Sequence, residues 1–144
     1  MDISKVVLED TTVISDFYDP HGNLLKDEKT GEPVTIEIYS TESNRFQTVV
    51  ANNIREDQKA RKDKADEDDD APITDEEISK NRERSLRTIA QCTKSWSGFY
   101  NKGKALACNE QNAILVYSKL PFIAKRLNRK MADDKAFFKM ASED

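Results

Sequence analysis

Apolar positions along this chain change their period, and the changes mark its elements. Near the N-terminus, the short β-branched runs Val6-Val7-Leu8 and Thr11-Thr12-Val13-Ile14 precede residues 34–39 (V-T-I-E-I-Y), where apolar and polar side chains alternate as in a half-buried strand. Asp19-Pro20-His21-Gly22-Asn23 and Lys29-Thr30-Gly31-Glu32-Pro33 are turn sequences, so the pattern predicts an N-terminal β hairpin or meander. An isolated hairpin is marginal in water, which requires this one to pack on helices or on a partner.

From Ser40 the period becomes helical. Phe46, Val49, Val50 and Ile54 form one stripe, with Ser40 or Thr41 available as N-cap, and the polar stretch that follows carries this connecting helix into solvent. Asp66-Glu67-Asp68-Asp69-Asp70 repel one another and offer no apolar surface, so residues 65–73 read as an acidic, disordered linker. A calcium loop would need alternating oxygen ligands and a glycine at its tight turn. Order is expected to resume at Ile73-Thr74-Asp75-Glu76-Glu77-Ile78, where Thr74 and Glu77 form a capping box and Ile73 and Ile78 a hydrophobic staple. The helix so begun places Ile78, Leu86, Ile89, Cys92 and Trp96 near one face, and the glycines at 98 and 103 break it. Asn109 caps a further helix over 110–118, and Pro121 opens another that carries Phe122, Ile123, Leu127 and Met131. Phe137, Phe138 and Met140 close the apolar pattern.

The predicted class is α+β, mainly helical, with residues 1–64 as hairpin plus helix, 65–73 as linker and 74–144 as a small C-terminal helical domain. Charged residues make up 35% of the 144-residue chain against 37% hydrophobic, so the core is expected to be thin. A net charge of −4 argues against a nucleic-acid binder, because phosphate contacts need a concentrated basic face. The clusters Arg82, Arg84, Arg87 and Lys125, Arg126, Arg129, Lys130 are interspersed with other residue types and read as solvated or ion-paired helix faces. With no signal peptide pattern and no long apolar run, neither export nor membrane insertion is expected.

Candidate chemistry is sparse. The one histidine, His21, lies in a turn, and Cys92 and Cys108 are spaced too far apart for a metal-binding pair and read as free thiols. Four glycines, at 22, 31, 98 and 103, form no phosphate-binding loop. We therefore expect no catalytic residue, no metal, no cofactor and no enzyme. Residues 96–140 hold the only Trp, four of six Phe and two of four Tyr. This aromatic material is either the core of a helical domain or, in part, an exposed stripe for an apolar partner. Candidate partner-binding residues are Trp96, Phe99, Tyr100, Leu115, Tyr117, Phe122, Phe137 and Phe138.

One arrangement resembles a known family. A helix ending in Trp96, a glycine-bearing loop, Leu106, Asn109-Glu110-Gln111-Asn112 opening a helix with Ile114-Leu115, then Leu120-Pro121-Phe122-Ile123 and a closing Phe137-Phe138 resembles the tail assembly chaperones of long-tailed bacteriophages. The β arm with Asp19-Pro20-His21-Gly22-Asn23 and Gly31-Glu32-Pro33, the strand Ile36-Glu37-Ile38, and Ser40-Thr41-Glu42-Ser43 starting a helix resemble the opening of small phage tail-cluster proteins. The acidic insert at 66–70 departs from that pattern. The resemblance implies a protein of the host cytoplasm that, as a monomer or a homo-oligomer, binds the tape measure protein, keeps it soluble and assists the tail tube protein in polymerising around it. The alternative is a minor structural tail protein retained in the virion through its β arm.

Overall fold

In the computed structural model, which describes residues 1–62 and 73–140, the alternating segment becomes the middle strand of a sheet. Strand β1 spans Val6–Leu8, β2 Thr11–Ile14 and β3 Thr35–Tyr39. Ile36 and Ile38 on β3 are completely buried while Thr35, Glu37 and Tyr39 are half-buried, the period-2 burial that the sequence predicts. β3 pairs antiparallel with β2, bringing Ile14 opposite Ile36, and with β4, Thr93–Ser97, bringing Trp96 opposite the same Ile36. The chain is α+β, with this three-stranded antiparallel sheet packed among helices.

Helix α1 runs Asn44–Lys62 and α2 Asp75–Gln91. The cap of α1 is Ser43 rather than Ser40 or Thr41: its hydroxyl accepts from Phe46 N and donates to Ser40 O. Ser40 is engaged by the sheet, its N–H donating to Asp10 O, so the helix starts one turn later than expected. α2 begins as predicted, with Thr74 Oγ1 accepting from Glu77 N at 3.2 Å. Its end differs. The expected helix through Trp96 stops at Gln91, with Cys92 as the C-cap, because Thr93 Oγ1 donates back to Ile89 O and the following T-K-S-W-S is drawn into the sheet as β4. Residues 98–105, expected only as a loop, contain a hairpin of β5 (Tyr100–Asn101) and β6 (Lys104–Ala105). Its central residues Lys102 and Gly103 both have positive φ (53° and 79°), as a type I′ turn demands.

α3 (Glu110–Lys119) and α4 (Pro121–Met131) start where expected, with Asn109 Oδ1 accepting from Asn112 N at 2.8 Å and Pro121 in the first turn of α4. After the short helix α5 (Asp134–Phe137), strand β7 (Phe138–Met140) pairs with β1. The first β-branched run is therefore not part of an N-terminal meander: it forms a ribbon with the other end of the described chain.

The core joins Ile14, Phe17, Val34, Ile36, Ile38 and Val49 with Ile89, Cys92, Tyr117, Ile123, Leu127 and Met131, so residues on both sides of the acidic segment fill one interior. β4 enters the sheet of the N-terminal half, and the boundary expected at 65–73 separates no cores. The acidic residues 66–70 themselves lie outside the described residues.

Candidate functional site

Of the expected contact residues, Tyr117 and Phe137 are core, exposed by 0% and 4%. Tyr117 bonds to Thr93 Oγ1 at 2.7 Å, and since that hydroxyl already donates to Ile89 O, the phenol is the donor between them. Burial raises the Tyr117 pKa above the ordinary phenol value, which is the behaviour of an interior group. Trp96 and Phe99 pack against the core edge to face, with ring centroids 5.2 Å apart, and Trp96 Nε1 donates to Leu106 O at 2.9 Å. Tyr100 is tied down: its hydroxyl donates to Asp27 and the Lys29 ammonium sits 4.7 Å from its ring centroid. The bond to Asp27 raises the Tyr100 pKa, while backbone N–H donation from Lys29 holds the Asp27 carboxyl below its usual value. These interactions fasten the β5–β6 hairpin to the 27–31 turn, whose Gly31 N donates to Asp27 O. Leu115 is half-buried on α3.

Phe122 is half-buried against the core and Phe138 is exposed, and the two lie on separate patches. On the β1–β7 ribbon, Leu8 stands directly opposite Phe138, so both project from one face, exposed by 66% and 42%. Ile3, in the 3-10 turn just before β1, is also exposed. The ribbon is anchored at its root: Glu9 N donates to Phe137 O, and Phe137 is buried. A mobile or unpaired arm could not hold such an apolar face in place; this one is hydrogen-bonded on one edge and fixed to the core.

The second patch is a groove between α4 and residues 16–18, lined by Asp16, Phe17, Tyr18, Phe122, Arg126 and Arg129. Phe122, Arg126 and Arg129 recur at helical spacing on α4, on the side away from the buried Ile123, Ala124 and Leu127. Arg126 forms an ion pair with Asp16 across the groove. Leu8 and Tyr18 had no place among the expected contacts, because the β arm reads as core-forming strand; only the pairing of β1 with β7 leaves Leu8 outside.

A further concavity along α1, lined by Arg45, Asn52, Arg55, Lys59 and Gln91 among others, is polar and open. Arg45 Nε donates to Gln91 O there, and α1 and α2 are cross-linked by Asp57–Arg84 at 2.9 Å and Glu56–Arg87 at 3.2 Å. Two of the three arginines in the expected α2 cluster thus face acids of α1. Cys92, the C-cap of α2, is buried and its thiol pKa is pushed up to about 11 by burial; Cys108 is half-buried with its pKa raised for the same reason. His21 is exposed in an Asp19-centred turn, its N–H donating to Asp19 Oδ1. Among the described residues no group of His, Cys, Asp and Glu is arranged to hold a metal ion, and no described helix is long and apolar enough to cross a membrane.

Compared with known proteins, the chain matches no family model, no curated protein and no solved structure.

Proposed function

We propose that this protein is a tail assembly chaperone of a long-tailed bacteriophage, which holds the tape measure protein in soluble form and releases it to the growing tail tube. The observation that carries the reading is the apolar face of the β1–β7 ribbon, where Leu8 and Phe138 lie side by side in water on a rigid mount. A tape measure chain is long and helical and exposes apolar stripes until the tube encloses it. Its holder needs a fixed apolar face to dock on and a charged exterior to keep the pair in solution. With 35% charged residues, the chain has that exterior.

The client surface is narrower than the aromatic stripe of the sequence, since Tyr117 and Phe137 are spent on the core. Ile3, Leu8 and Phe138 are the residues we assign to client docking. In the alternative reading, as a virion component, the β arm would insert into a neighbour's sheet. For that reading β1 and β2 each keep one edge unpaired within the chain, and the presence or absence of the polypeptide in purified particles separates it from the chaperone.

Co-expression with the tape measure protein of the same genome tests the proposal. The wild-type chain should raise the soluble fraction of the tape measure protein and co-purify with it, and Leu8→Asp with Phe138→Asp should abolish both effects while the far-UV spectrum stays unchanged. Failure of the wild type to solubilise or capture the client refutes the assignment. Equal performance by the double variant moves the docking face elsewhere.

A further inference from the structure

The groove on α4 is basic and aromatic, and the tip of α2 is its chemical complement. Around Phe122 and the half-exposed Tyr18 the groove presents Arg126, paired with Asp16, and Arg129, which has no ion-pair partner among the described residues. The tip of α2 presents Asp75, Glu77 and Glu76, the last paired with Lys80 at 3.4 Å, between two exposed isoleucines, Ile73 at 72% and Ile78 at 49%. An acid cluster flanked by apolar anchors matches an aromatic cleft rimmed by guanidinium groups in both charge and polarity.

We infer that these two surfaces bind each other between copies of this chain, the α2 tip of one molecule seating in the α4 groove of the next. Within one molecule the tip does not occupy the groove: no residue of α2 lines it, and Ile73 and Ile78 are exposed. The buried residues of α2 are Ile89 and Ala90 at its C-terminal end, and Glu76 lies 13 residues before Ile89. That is about 20 Å along a straight helix. The Asp57–Arg84 and Glu56–Arg87 pairs brace α2 against α1, so the tip stands off the core and faces outward. The two surfaces are different, so the association is head to tail, and assembly continues past the dimer unless a ring closes. Ile73 and Ile78 would exchange water for Tyr18 and Phe122, and Arg129 would gain an acid.

This association is separate from client docking, which rests on the ribbon. It is tested with purified full-length chain alone, so the failure of either idea leaves the other standing. Sedimentation velocity across the micromolar range should give a wild-type species that grows beyond a dimer with concentration and shrinks with added salt. A groove variant, Tyr18→Ala with Arg129→Glu, and a tip variant, Glu77→Gln with Ile78→Ser, should each stay monomeric, with self-affinity lowered by about tenfold or more, roughly 1.4 kcal/mol or more. Their equimolar mixture is the decisive arm, because the groove variant keeps an intact tip and the tip variant an intact groove: it should form a heterodimer and nothing larger. A monomeric wild type, a variant that assembles as the wild type does, or a mixture that stays monomeric although both variants show the native far-UV spectrum would each overturn the inference.

Discussion

Replacing Gly98 with alanine should cost more stability than the same change at any other glycine of the chain. Gly98 links β4 to the β5–β6 hairpin with φ at +94°, and a Cβ built there lies 2.8 Å from Val34 Cγ1 and 3.4 Å from both Val34 Cα and Asp27 Cβ. Val34 is 3% exposed and belongs to the core, so it cannot swing into solvent to make room. Two effects add. The left-handed backbone costs an alanine roughly 1 kcal/mol, and forcing a methyl group against a packed valine costs about 1–3 kcal/mol more. The sum is about 2–4 kcal/mol, which at a urea slope of about 2 kcal/mol/M lowers the midpoint by roughly 1–2 M. Gly22→Ala is the internal control, since its φ is +84° but no atom lies within 4 Å of the added Cβ; only the backbone cost of roughly 1 kcal/mol applies. Urea unfolding followed by Trp96 fluorescence gives both midpoints. Equal midpoints for the two variants would refute the close approach of Gly98 to Val34.

Other outcomes follow from the interior and the hairpin. Tyr117→Phe deletes a phenol whose bond to Thr93 is buried, and chemical denaturation should register a loss of about 1 kcal/mol. Because burial raises the folded-state pKa of Tyr117 above the ordinary phenol value of 10.0, its contribution is fully present below that value. It is lost as pH rises, where the unfolded chain sheds the proton first; the wild type should lose stability through that range more steeply than Tyr117→Phe. Cys108, half-buried, should react with a thiol reagent in the folded protein at neutral pH, while Cys92 should react only on unfolding; mass spectrometry of labelled peptides separates the two, and prompt labelling of Cys92 would contradict its burial. Asp57→Asn removes the acid facing Arg84, but both side chains are more than a third exposed, so thermal unfolding should show a salt-dependent loss below about 1 kcal/mol.

Local signals in the sequence carry much of this architecture. Thr74, Asn109 and Pro121 open their helices because a cap or a proline acts on the next few residues alone, and the alternation at 34–39 survives as burial of Ile36 and Ile38. Where the outcome depends on distant chain, the local pattern misleads. In T-K-S-W-S a single apolar residue gives little strand signal, and the segment leaves the helical stripe of α2 because β3 offers it an edge and Trp96 a place beside Ile36. β1 and β7 meet across nearly the whole chain, a register no window of sequence encodes. Burial follows suit: Tyr117 and Phe137 read as docking aromatics but fill the interior, whereas Leu8 reads as strand interior and stands in water.

The most direct measurement of the central claim is hydrogen exchange on the purified complex with the tape measure protein, compared with the free chain. Amides of residues 6–8 and 138–140 are expected to exchange more slowly in the complex, with the interior of α3 and α4 unaffected. Unchanged exchange on the ribbon in a stable complex would contradict the assigned docking face, and absence of any complex would contradict the chaperone assignment itself.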